Sequence, residues 1–197
     1  MTALDRQFAD AAARKALVIP AQVETQRLIL RASAADDLDA SHDLAERSAA
    51  ELAPWMPWAY PEPLRASMKN YFDTVEQKWD AREQLDFQWF EKASGALIGK
   101  GGFHHIDWTI PKFEIGYWLG TPYSGRGYCT EAVNGLAAFA FAHLGAGRLE
   151  IRSQPTNRRS CAVAERAGFV LEGVSRQSLV RVDGTLGDAC MYAKLTA

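Results

Sequence analysis

Seven consecutive residues, Ser124-Gly125-Arg126-Gly127-Tyr128-Cys129-Thr130, place two glycines, a guanidinium and several hydroxyls just ahead of an apolar run with helical spacing. Such a turn aims successive backbone N–H groups at one point at a helix start, where they hold a phosphate or diphosphate without a metal. A nucleotide P-loop needs Lys and then Ser or Thr directly after its last glycine. Tyr128 and Cys129 stand there, so that reading fails. A dinucleotide fingerprint fares better: Gly125-Arg126-Gly127 opens a GxGxxG, and Glu150 lies 23 residues beyond Gly127, near where a ribose-binding acid belongs. Thr130 takes the third glycine's place, however, and Gly120–Ser124 intervenes before the first. The strands before the loop also do not form a Rossmann half. Two readings remain, a diphosphate cradle and a plain glycine turn.

Other groups offer less on their own. Cys129, Cys161 and Cys190 are widely spaced and odd in number, which suits a reduced, cytoplasmic protein without a zinc site. No acidic metal pair stands out, so no metal is expected. Cys129 lies near a helix N-terminus, a setting that can lower a thiol pKa, yet no triad partner can be assigned to it. His104 and His105 are adjacent on a strand, where neighbours point to opposite faces, so at most one can face a given cleft squarely. Trp55, Trp58 and Tyr60 fall in "PWMPWAYPEP", whose four prolines exclude regular structure.

The elements that carry these groups follow from periodicity. The chain has 197 residues, 48% hydrophobic and 23% charged, enough for one domain with its own core. A net charge of -2 disfavours nucleic acid or an anionic membrane as the main partner. The first 22 residues read as a leader, helical or disordered, with no signal peptide or membrane span, and residues 23–197 as a single domain. Glu24–Ala32 is predicted as one strand. Ser33 is the expected cap of a helix to about Ser48, and a second helix runs from Leu64 with Leu64, Met68, Tyr71, Phe72, Val75 and Trp79 on one face. Strands follow at Asp86–Lys92, Ala96–Ile106 and Lys112–Leu119, the first two turning at Ser94-Gly95. After the glycine loop come a helix buried through Val133, Leu136, Ala137, Ala140 and Leu144, a strand at Arg148–Ser153 and a short helix capped by Asn157 and ended by Gly168. A hairpin turning at Asp183-Gly184 closes the chain. The order describes an α/β fold with a mixed sheet.

"LAPWMPW", "IGYWL", "GRGYCTEAV", "NRRS", "AGFVLEG" and "DACMYAKL" occur in an order that resembles the GNAT superfamily of N-acetyltransferases, and within it the RimJ/RimL type that acetylates ribosomal-protein N-termini. The resemblance spans about Val23 to Leu195. It implies a sheet split in a V around acetyl-CoA, between Lys112–Leu119 and Arg148–Ser153. Backbone groups of Tyr117, Trp118 and Leu119 would pair with the pantetheine arm. Ser124, Gly125, Arg126, Gly127, Tyr128, Cys129 and Thr130 would hold the diphosphate, although the family often has Arg or Gln where Ser124 stands and Gly or Ala where Cys129 stands. Asn157, Arg158 and Ser160 would also meet the cofactor, with Arg159 a further candidate for its phosphates.

The implied reaction is direct attack of an amine on the thioester, with an oxyanion donor near Leu119 N–H. Many members protonate the thiolate with a tyrosine seven residues after the motif asparagine; Ala164 is there, so Ser160 is the candidate acid. Some ribosomal-type members carry a glutamate base where Leu179 falls, so Glu114 is the remaining carboxylate. Trp55, Trp58, His104 and His105 would border the acceptor. An α-amine, with a pKa of about 7.7–8.0, is roughly one-tenth neutral at pH 7, far more than a lysine, so a site without an evident base favours it. A protein N-terminus is thus the expected acceptor. The alternatives are a small amine (a polyamine, an antibiotic or an aminoacyl-nucleotide) or a regulator that binds CoA without catalysis. The resemblance leaves a homodimer as an option.

Overall fold

The computed structural model describes residues 3–59 and 64–196. Its helices are α1 (Ala3–Lys15), α2 (Leu38–Glu46), α3 (Ala49–Leu52), α4 (Leu64–Phe72), α5 (Val75–Asp80), α6 (Tyr128–His143) and α7 (Arg158–Arg166). Its strands are β1 (Gln22–Glu24), β2 (Leu28–Ala32), β3 (Leu85–Glu91), β4 (Leu97–Asp107), β5 (Lys112–Leu119), β6 (Arg148–Ser153), β7 (Val170–Val180) and β8 (Leu186–Leu195). Eight strands form one mixed sheet in the order β1-β2-β3-β4-β5-β6-β8-β7. Every pairing is antiparallel except β5 with β6.

Strand alternation sorts the core onto two faces. Leu85, Phe87 and Trp89 of β3, Phe103 of β4 and Phe113 and Ile115 of β5 bury against Val133, Leu136, Ala137 and Ala140 of α6. On the other face Trp118 joins Leu44, Leu52, Leu64, Met68, Phe72 and Val75 from α2–α5. Ala11 of α1 belongs to the first cluster, and Arg14 reaches the Trp108 carbonyl at 3.3 Å.

Three departures from the expected elements have local causes. The single strand expected at Glu24–Ala32 is a hairpin, closed where Thr25 N–H donates to Leu28 O at 3.0 Å. Ser33 does not cap a helix directly: a 3-10 turn at Ala35–Asp37 intervenes, and Asp37 Oδ2 accepts the Ala34 N–H at 2.8 Å. The helix expected from Leu64 breaks at Asp73-Thr74, although its apolar stripe runs on into Val75.

Candidate functional site

β5 and β6 pair only at Lys112–Arg148, Phe113–Leu149 and Glu114–Glu150, and then diverge. From Ile115 onward β5 has β4 on one side and no strand on the other. Gly120 N–H donates to Ile98 O at 2.8 Å, which sets the phase of the β4–β5 ladder. Antiparallel pairs alternate, so Gly116 and Trp118 spend their backbone groups on β4. Ile115, Tyr117 and Leu119 turn theirs to the open edge. Tyr117 and Leu119 are therefore available to a strand-like ligand, whereas Trp118, expected to join them, is committed to β4.

The mouth of the V continues into the glycine loop. Gly125 (φ +77°) and Gly127 (φ +78°) are both left-handed, which only glycine adopts without strain. Gly127 caps α6, and the first helical bond runs from Glu131 N to Gly127 O at 3.0 Å. The N–H groups of Tyr128, Cys129 and Thr130 precede it and have no partner within the helix. A Cβ on Gly125 would meet nothing within 4 Å, and one on Gly127 only Arg27 Nη2 at 3.5 Å. The loop is thus an open, amide-rich concavity at the start of a 16-residue helix, which fits a diphosphate.

Side chains around the loop differ from expectation. The Tyr128 ring is buried and its hydroxyl donates to Glu91, so only its amide faces the loop. Burial pushes the Cys129 thiol up to about 12, opposite to the lowering expected at a helix start. Arg159 is tied to Glu51 of α3 at 2.6 Å. Arg158 and Ser124 are exposed. Two arginines not expected from the sequence are at the loop: Arg27, from the β1–β2 turn, and Arg166, whose Nε donates to Thr130 Oγ1 at 3.3 Å.

Where the strands part, Ser160 Oγ lies 3.1 Å from the Tyr117 hydroxyl, and Tyr117 also donates to the Ser160 carbonyl at 3.2 Å. Asn157 Oδ1 accepts the Ser160 N–H at 3.1 Å, capping α7 and orienting the serine. Burial, with a smaller contribution from Cys129, raises the Tyr117 pKa, which keeps its proton in place. Tyr117 had been expected to act through its backbone alone. Its side chain also brings a phenol to Ser160.

Beside this pair a cleft of about 490 Å³ is lined by Trp55, Met56, Trp58, Tyr71, His104, Glu114, Tyr117 and Ser160, among others. Trp58 packs on Trp118 with ring centroids 5.6 Å apart; Tyr60 lies outside the described residues. On the floor Asp86 Oδ2 accepts from Tyr71 and Gln84 at 2.6 Å and pairs with Lys100 at 3.2 Å. Burial holds Lys100 below its ordinary range, against the pull of Asp86.

Glu114 is nearly buried at the cleft wall. Its Oε1 is 3.2 Å from His104 Nε2, and its Oε2 is 3.1 Å from His105 Nδ1 and 2.9 Å from Arg152 Nε. Both histidines therefore reach one carboxylate, which regular alternation forbids. A bulge between His104 and Asp107, with His105 at φ +47°, turns the second ring to the same side. His104 lines the cleft itself, its ring resting on Gly116, where a Cβ would lie 2.4 Å from Cε1. Burial pushes the Glu114 carboxyl up, but hydrogen bonds and charge from His104 and Arg152 outweigh it and hold the pKa at about 2. So weak a base is unsuited to taking a proton from an amine near neutral pH. Ligand atoms of His104, His105 and Glu114 fall within 4.8 Å of one another. A metal ion there would compete with the guanidinium already on Glu114.

A profile of the acetyltransferase (GNAT) domain matches residues 27–170. YdaF of Bacillus subtilis (strain 168), provisionally assigned as a ribosomal N-acetyltransferase, is 33% identical over 141 residues, covering 70% of this chain and 76% of that protein. RimL, a ribosomal L7/L12 alpha-N-protein acetyltransferase solved with coenzyme A, superposes with a TM-score of 0.81 at 23% identity, over 88% of this chain and 97% of its own. RimJ of Mycobacterium smegmatis, solved with CoA-disulfide, gives 0.82 at 22% identity, over 90% and 88%. At those identities the two structures speak to the fold. Among the described residues no helix is long and apolar enough to cross a membrane.

Proposed function

The chain belongs to the acetyltransferase (GNAT) family, and from that premise we propose that it moves the acetyl group of acetyl-CoA to the α-amine of a protein N-terminus. The observation that carries this reading is the continuity of three features: the open edge of β5, the amide-rich loop at α6, and a cleft on the other side of the split. Acetyl-CoA supplies an activated thioester. The chain's own groups position it, accept a proton from the amine and return one to the departing sulfur.

The Leu119 N–H, directed to the open edge, is the donor suited to a developing oxyanion. Ser160 and Tyr117 form a hydroxyl pair where the strands part: Ser160 hands its proton to the sulfur and regains one from solvent, while the Tyr117 hydroxyl keeps its own and holds Ser160 in place. For the base, the geometry favours His104 over Glu114. With Nε2–H donated to Glu114, the ring's Nδ1 is free to accept a proton from the amine. Glu114 then orients the ring, as a carboxylate does in a hydrolytic triad. Trp55 and Trp58 form the apolar wall against which the acceptor's first residues lie. The names of YdaF and RimL support a ribosomal-protein acceptor and a cytoplasmic setting.

Free-thiol release from acetyl-CoA, measured over peptides with Ser, Ala and Met N-termini beside polyamines and aminoglycosides, tests the proposal. Turnover fastest on peptides supports it. Preference for a small amine overturns the acceptor class. CoA binding with no transfer to any amine identifies a regulator instead.

A further inference from the structure

The phosphate-loop glycines carry an entropic cost, because two left-handed residues in an exposed turn are free to leave that conformation. Something must hold them, and Arg27 is placed to do so. Arg27 N–H donates to Glu131 Oε1 at 2.7 Å and its Nε to Glu131 Oε2 at 2.6 Å, while Thr25 Oγ1 shares Oε1 at 2.6 Å. The fork then reaches past α6: Nη1 donates to the Arg126 carbonyl at 3.0 Å. The guanidinium lies 4.4 Å over the Tyr128 ring, and Nη2 stands beside Gly127. Lys92 N–H, donating to Arg27 O at 2.9 Å, ties the base of this arm to the end of β3.

Arg126 is the residue between the two glycines. In a trans peptide the carbonyl of one residue and the N–H of the next point in opposite directions. Holding the Arg126 carbonyl therefore fixes the direction of the Gly127 N–H. We propose that Arg27 is a positioning residue for the cofactor: clamped on Glu131, it locks the Ser124–Gly127 turn in its anion-binding conformation and sets the affinity for the diphosphate of coenzyme A. The inference rests on the acetyl-CoA reading above and adds to it a preorganising arm from the opposite end of the sheet. Lysine is not equivalent here: Nε and Nη1 reach Glu131 and the Arg126 carbonyl from two nitrogens held in one rigid plane, whereas an ammonium offers its donors from a single atom on a flexible stem.

The test compares acetyl-CoA with S-acetylpantetheine, which has the same thioester and arm but no diphosphate. Arg27→Gln should raise the KM for acetyl-CoA and the calorimetric Kd for CoA about tenfold, the worth of one charge-assisted hydrogen bond. Its kcat should stay within about twofold, and the KM for S-acetylpantetheine should not move, because the chemistry is untouched. Arg27→Lys should remain close to Arg27→Gln. Glu131→Gln, which keeps the shape but weakens the anchor, should show the same ligand-selective loss and decides the matter if Arg27→Gln does not fold. Unchanged CoA affinity in folded variants overturns the clamp. So does equal loss of both donors, which would mean general damage, and so does full rescue by lysine, which would mean that charge alone matters. If the parent protein binds no CoA, the acetyl-donor reading itself fails, an outcome separable from all of these.

Discussion

Glu114 shows how surroundings decide what a side chain can do. A lone carboxylate opening a strand looks like a base; with two imidazoles and a guanidinium on its oxygens it is an acceptor of hydrogen bonds. The same setting predicts a pH dependence. The folded pKa of about 2 lies below the ordinary 4.5, so the carboxylate stabilises the fold fully above about 4.5 and loses that contribution as pH falls toward 2. Melting of the parent and Glu114→Gln should therefore differ most near neutrality and converge in acid; a gap that widens in acid contradicts the assignment. For the hydroxyl pair, Ser160→Ala should lower kcat about 10- to 100-fold, the low end of general-acid assistance, with CoA affinity nearly intact. Asn157→Ala behaves differently, because it loses a cap worth about 1 kcal/mol and lets Ser160 drift. Its stability, its kcat and its KM for acetyl-CoA should all suffer. If Ser160→Ala turns over like the parent when chemistry is rate-limiting, Ser160 is only a helix residue.

Among the elements, β5 carries the most consequence per residue. Its even members bond to β4 and its odd members face the split, so amide exchange should alternate along it. Gly116 and Trp118 should exchange slowly with or without ligand, and Tyr117 and Leu119 should slow only when CoA is added. Protection of Trp118 that responds to CoA as strongly as that of Leu119 would place the register one residue off. Gly127→Ala, forced to φ +78°, should cost about 1 kcal/mol of stability and also weaken CoA. Unchanged affinity in the folded variant would mark the loop as a plain turn. Much of this was legible in the chain. Asn157 and Gly168 announce the ends of α7, and Ser94-Gly95 and Asp183-Gly184 announce their hairpins, because each needs a residue type that the backbone there demands. The Thr25–Arg27 turn was not legible, since it uses none of the usual turn residues and is held by Glu131 from more than a hundred positions away. Nor was the break at Asp73-Thr74, where the hydrophobic spacing survives the interruption. Tyr117 meeting Ser160, and His104 with His105 sharing Glu114, are products of divergence and bulging that no local pattern records.

The molecule as a whole is built in two parts that follow chain order. Residues up to Leu119 make β1–β5, residues from Arg148 make β6, β8 and β7, and α6 packs on the first part and against α7. Backbone pairing across the join is confined to three positions at one end, Lys112–Glu114 against Arg148–Glu150. Charge reinforces that end across the join, with Lys112 on Glu150 and Arg152 on Glu114. At the other end the parts touch through lighter contacts, Tyr117 with Ser160 and Glu51 with Arg159. In mechanical terms the sheet is a pair of leaves joined along one short seam and lightly latched at the tip. On the proposed acetyl-CoA reading the donor's aperture is an angle rather than a lid, so that a small rotation at Glu114 would become a larger displacement at Arg159. Two probes at exposed positions beside Glu51 and Arg159 should report a separation that changes with bound CoA, while a pair flanking Lys112 and Arg148 should report none.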